Sequence, residues 1–104
     1  MSASPQRWRV PEGQRFTFEE FDDGILLFDE RVGGTHLVSP TAAETLEVVA
    51  ATPDLSAAEI RARVVARLEL GDSAPDTAAF EELLERFADL CMVTRSPAAT
   101  GAAR

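Results

Sequence analysis

The 104-residue chain contains no lysine, no tyrosine and no asparagine, and one each of cysteine, histidine and tryptophan. Each shortage excludes something. Cys91 cannot form a disulfide within the chain, and His36 with Cys91 falls short of the three or four His/Cys ligands of a usual zinc site. No glycine-rich phosphate loop is present, because Gly33-Gly34 is too short and opens no helix. No apolar run approaches the roughly 18 residues that span a bilayer. The segment Met1–Arg7 has no apolar stretch of a signal peptide behind it. These absences predict a soluble, cytoplasmic protein with no cofactor, no metal and no membrane partner. All ten basic residues are arginine, against 18 acidic ones, for a net charge of -8. An acidic surface repels phosphate backbones, so nucleic acid is not an expected partner. Catalysis is equally thin. No acid stands near His36 in sequence to orient it, so a half-exposed strand histidine is expected, with a partner or pH-sensitive contact as the alternative. Cys91 falls on the apolar face of a helix, where a free thiol is expected to be buried in the core. The chain is not expected to be an enzyme.

What is present is a dense run of turns and caps. One domain is predicted over residues 7–95, with disordered ends at 1–6 and 96–104, where small residues show no periodicity. Arg15–Phe21 alternates, with Phe16 and Phe18 on one face. Asp22-Asp23-Gly24 is a hairpin signal, since an Asp-Gly pair tolerates positive φ. Ile25–Asp29 is apolar nearly throughout, which predicts a strand covered on both faces or a short buried one. Gly33-Gly34 makes the next turn, and Thr35-His36-Leu37-Val38 is the last strand. Ser39 is then an N-cap and Pro40 a first helical residue. That helix presents Ala42, Leu46, Val49 and Ala50, and Pro53 stops it. Ser56 and Glu59 form a capping box for a second helix carrying Ile60, Val64 and Leu68, which Gly71 ends. A third helix over about Pro75–Cys91 presents Phe80, Leu83, Leu84, Phe87, Leu90 and Cys91 on one face. Strands first and helices after predict an α+β fold, a three-stranded antiparallel sheet followed by a three-helix bundle, similar to a winged helix-turn-helix with its parts reordered.

A three-stranded meander leaves its first and third strands as edges. Trp8-Arg9-Val10 is a candidate to cover the first. Thr35–Val38 carries no Lys, Pro or inward charge of the kind that protects natural edges, so it is a candidate for binding an extended peptide. Pairing of Met92-Val93-Thr94 with that strand is the competing expectation. From Glu69 to Asp89 the charges are Glu69, Asp72, Asp76, Glu81, Glu82, Glu85 and Asp89 against Arg86, which reads either as a solvated face or as a lure for a basic segment.

These features carry a family resemblance. Trp8, Phe21-Asp22-Asp23-Gly24, Leu27-Phe28-Asp29, Gly34-Thr35-His36-Leu37, Ser39-Pro40-Thr41-Ala42-Ala43 and Leu46 resemble the PqqD-like peptide chaperones, or RiPP recognition elements. The likeness is to the branch beside an HPr-kinase-related protein, the HPr-rel-A system. Val38-Ser39-Pro40 departs from the Leu-Asn-Pro or Leu-Asp-Pro of many members, a neutral change since all three are good N-caps. The resemblance implies a non-catalytic adaptor. It binds the leader segment of a ribosomally made precursor peptide as an added strand and presents it to a modifying enzyme, with the HPr-kinase-related protein as a candidate. It implies that Thr35, His36, Leu37 and Val38 receive the leader. It also implies contacts from the third helix, with Leu83, Leu84 and Phe87 in the groove and Glu81 or Glu85 at its rim.

Two other classes stay open. Arg61, Arg63 and Arg67 on the second helix are the best case for a winged-helix DNA-binding regulator. A structural subunit of an enzyme complex, its edge filled permanently by an enzyme or a second copy, is the other. Oligomeric state is not readable from the residues.

Overall fold

The computed structural model describes residues 6–31 and 33–96. Its elements run β1 (Arg7–Arg9), β2 (Phe16–Phe21), β3 (Gly24–Asp29), β4 (Gly34–Val38), α1 (Pro40–Ala51), β5 (Leu55–Ser56), α2 (Ala57–Leu68), α3 (Thr77–Asp89) and β6 (Thr94–Arg95). The class is α+β as expected, with an antiparallel sheet in the order β2-β3-β4 and three α-helices among the described residues. The strict order of strands then helices does not hold, because β5 and β6 fall among and after the helices. They flank β1 in a second small sheet, β5-β1-β6.

That second sheet corrects the expectation for Trp8-Arg9-Val10. The segment does not cover the first edge of the meander. Trp8 is 2% exposed and belongs to the same core as Leu46, Ile60, Leu84 and Met92. Burying its indole draws β1 in among the helices, where it pairs with Leu55 on one side and Arg95 on the other. The Arg95 guanidinium lies 5.0 Å from the ring centroid. The same pairing uses up the C-terminal segment. Met92 and Val93 are buried, and Thr94–Arg95 lies beside β1, not beside β4. Of the ends expected to be disordered, 1–5 and 97–104 lie outside the described residues. Gln6 accepts a bond from Arg95 Nε at 2.8 Å, and Ser96 N donates to Arg7 O at 2.7 Å.

The helix starts follow their sequence signals. Ser39 Oγ accepts from Ala42 N at 3.1 Å with Pro40 at the first helical position. Ser56 and Glu59 complete their capping box, at 3.2 and 2.9 Å. α3 begins at Thr77 with Asp76 as its cap, two residues after the expected start near Pro75. The helix ends at Asp89, short of the expected Cys91. Cys91 N donates to Ala88 O and Met92 N to Phe87 O, both at 2.9 Å, with Cys91 at φ 63°. This is a Schellman ending with a non-glycine residue in the left-handed position. It turns Cys91 outward, so the thiol expected in the core is exposed, and Leu90 with it. Cys91→Gly is expected to stabilise the fold by about 0.5–1 kcal/mol by relieving that conformation. Chemical denaturation measures it, as a raised midpoint at unchanged slope.

Asp54 and Glu59 bind the small sheet to the start of α2. Ser96 Oγ donates to Asp54, Arg9 pairs with it at 3.1 Å, and these contacts hold its carboxyl below the ordinary range. The Ser56 backbone N–H, and more weakly Arg7, do the same for Glu59. A depressed carboxyl stabilises the fold above its unfolded pKa, and that contribution disappears as pH falls through the folded one. The melting temperature is therefore expected to drop below about pH 4.5. In an Asp54→Asn, Glu59→Gln double variant that acid drop is shallower, as melts across the range measure.

Candidate functional site

β4 is positioned by turns at both ends of β3. β2 and β3 pair from Phe16↔Asp29 to Phe21↔Gly24, leaving Asp22 and Asp23 as a two-residue loop. Neither Asp has a positive φ. Gly24 does, at 151°, and an added Cβ there would stand 3.3 Å from Val38 O and 3.4 Å from Leu37 Cδ1. At the far end Asp29 is fully buried. Its Oδ1 accepts from Gln14 Nε2 at 2.8 Å and Arg31 N at 3.0 Å, while Gly33 N donates to Asp29 O at 2.7 Å. This holds the turn that delivers Gly34 opposite Asp29.

The register then decides which backbone groups are free. The pair that closes a two-residue hairpin is a hydrogen-bonded one, so Phe21↔Gly24 is bonded and the pattern alternates along β3. Gly24, Leu26 and Phe28 bond towards β2. Ile25, Leu27 and Asp29 bond towards β4, to Val38, His36 and Gly34. Thr35 and Leu37 therefore direct their N–H and C=O away from the sheet. Among the described residues β4 pairs only with β3, so these four groups line an open edge.

The two faces of β4 differ. Gly34, His36 and Val38 are half-buried, and Val38 packs against the core. His36 folds over Gly34, where an added Cβ would meet Nε2 at 3.2 Å. Thr35 and Leu37 face the other way, beside Phe28 and Leu26. The expectation that β3 is covered on both faces fails there. Leu27 is fully buried, but Phe28 is 42% exposed, Leu37 64% and Phe21 54%. No described layer packs on that outer face, and the apolar run Ile25–Phe28 conceals the alternation that would have revealed it. Phe21, Leu26 and Phe28 are thus site candidates that sequence reasoning missed.

The third helix contributes less than expected. α3 packs on α2, and the helix that packs against the three-stranded sheet is α1, through β3. Leu84 and Phe87, expected in the groove, are core residues at 0% and 4% exposure. Leu83 is half-buried against the core. Glu81 and Glu85 are exposed, but they line a cavity of about 290 Å³ against Trp8, Ser56 and Thr77 beside the small sheet. The structure thus places Thr35–Val38 on one sheet edge, Leu84 and Phe87 in the core, and Glu81 and Glu85 beside the small sheet.

Each arginine of α2 has a partner within the domain, though Arg63 and Arg67 stay exposed. Arg61 Nε donates to Pro75 O at 2.6 Å, Arg63 reaches Thr52 Oγ1 at 3.3 Å, and Arg67 pairs with Glu44. Among the described residues no group of three His, Cys, Asp or Glu stands close enough to hold a metal ion, and no helix is long and apolar enough to cross a membrane. No family model matches the chain, nor does any curated protein or solved structure.

Proposed function

We propose that the chain is a non-catalytic peptide-binding adaptor of winged-helix-like arrangement. It takes the leader segment of a ribosomally made precursor peptide as a strand beside β4 and presents it to a cytoplasmic modifying enzyme, an HPr-kinase-related protein being the candidate. One observation carries this reading. The two segments able to cover the meander's edges, at Trp8 and at Met92–Thr94, are both consumed by a separate sheet, and β4 is left open among the described residues. The edge carries no lysine, proline or inward charge to repel a guest.

The geometry also supports a rule for what binds. Guest residues opposite Thr35 and Leu37 extend their side chains over the outer face, against Leu37 and Phe28. Four edge groups supply up to four hydrogen bonds, each worth about 0.5–1.5 kcal/mol net. The ordering of the guest offsets much of that. Covering one exposed Leu or Phe adds about 1.5–3 kcal/mol, so apolar residues at alternate guest positions provide most of the selectivity. Fluorescence anisotropy with the leader of a precursor peptide encoded beside this chain tests the reading. Saturable binding that Leu37→Pro removes supports it; binding indifferent to that change overturns it.

A further inference from the structure

The opposite edge of the same sheet carries a groove that the β4 reading does not use. The alternation that opens Thr35 and Leu37 also directs Thr17, Glu19 and Phe21 towards β3. Glu30 N donates to Arg15 O at 3.0 Å, which continues that parity beyond the strand. Phe16, Phe18 and Glu20 therefore turn six backbone groups outward, and among the described residues β2 pairs only with β3. Their side chains lie on the face towards α1. Two open cavities adjoin there, about 370 and 350 Å³, sharing Phe18 and Glu47 as walls. Phe16 and Phe18 form the strand side, and Leu46, Ala50 and Ala51 the helix side. The small alanines leave the room. The charged walls are all acidic: Glu20, Glu44 and Glu47. Arg67 is committed to Glu44, and Glu20 and Glu47 have no ion-pair partner among the described residues.

We propose that this groove takes an extended segment of a second protein, with apolar side chains at alternate positions and an Arg or Lys at the next. An added strand places the residues opposite Phe16 and Phe18 between apolar walls. The residue opposite Glu20 falls between carboxylates, where a cation is complementary. Two strand widths, roughly 10 Å, separate the β2 and β4 edges, so both can be filled at once. That the occupant is a second protein rests on the adaptor reading, which requires contact with both the guest and the enzyme. The groove's own chemistry does not.

The probe is the heptapeptide acetyl-Thr-Arg-Thr-Val-Thr-Val-Thr-amide, which sets its Arg opposite Glu20 and its Val residues opposite Phe18 and Phe16 when it adds antiparallel to β2, titrated into the nitrogen-15-labelled full chain. Amide shifts are expected from Phe16 to Glu20 and from Glu47 to Ala51, with Thr35 and Leu37 unmoved. Exchanging the peptide's Arg for Glu, or making Glu47→Arg, weakens binding about fivefold. Glu20→Pro abolishes it, since the lost N–H faces the open edge and the fold is retained. Shifts on Thr35 and Leu37 in place of β2, no shifts at millimolar peptide, or equal binding of the Glu peptide overturns the proposal. So does a dimer of the free chain that Glu20→Pro dissociates, which makes the occupant a second copy. Failure at β4 is read separately, from leader binding to the Leu37→Pro variant, so either edge can fail alone.

Discussion

Leu37→Pro binds the leader at least tenfold more weakly than the native chain and melts within a few degrees of it. Two losses add up. The substitution deletes one of the four outward backbone groups, about 0.5–1.5 kcal/mol, and the side chain that a guest covers, about 1.5–3 kcal/mol. Together these exceed the 1.4 kcal/mol of a tenfold change. Folding is spared for two reasons. The Leu37 N–H faces away from β3, where an edge strand tolerates proline. Its side chain is largely exposed, so little core is lost. His36, preceding the new proline, is already extended, the conformation that position requires. The same change at His36 would remove a ladder bond and unfold the edge, so the contrast separates loss of binding from loss of structure. Isothermal titration with the leader, beside thermal melts of all three proteins, measures both.

Trp8→Ala destabilises the fold by about 3–5 kcal/mol, the range for deleting a large buried aromatic. The indole is 2% exposed and is part of one core with α1, α2 and α3. Its strand pairs with β5 and β6 together, and Trp8 O accepts from Asp54 N at 2.9 Å. Removing the ring opens a cavity where the two ends of the domain meet and forfeits the Arg95 contact. Domains of this size hold about 5–15 kcal/mol in all, so the variant loses a large share of its stability. Denaturant titration at fixed slope reads the change. A second consequence follows at β4. With β1 loosened, β6 is released from its partner, and leader binding weakens only if the freed segment competes for the open edge.

Local chemistry made much of this fold legible. Ser39-Pro40, the Ser56/Glu59 box and the Asp22-Asp23-Gly24 turn mark their elements because each satisfies a specific backbone need at a fixed spacing. The small sheet was not legible. Strands of two or three residues such as Leu55–Ser56 and Thr94–Arg95 are too short to show a period, and their pairing is set by where Trp8 is buried. The apolar spacing of Phe87, Leu90 and Cys91 runs on past the helix end at Asp89, and the left-handed backbone at Cys91 itself turns that thiol outward. Thr35–Val38 was readable as a strand with an open edge. Which of its residues present free backbone groups was not, since that depends on the bonded pair closing the β2–β3 hairpin. The placement of Leu84 and Phe87 in a groove came from resemblance. Periodicity identifies the apolar face of α3 but not what covers it, and here α2 and the core do.

The measurement closest to the central claim is a residue-resolved titration of the labelled chain with the leader of its neighbouring precursor peptide. The expected result is that the amides of Thr35 and Leu37 shift most and gain protection from hydrogen exchange. His36 and Val38, already bonded to β3, shift less. Maximal changes at Glu81 and Glu85 on α3, or at His36 and Val38 in place of their neighbours, would contradict strand addition at this edge.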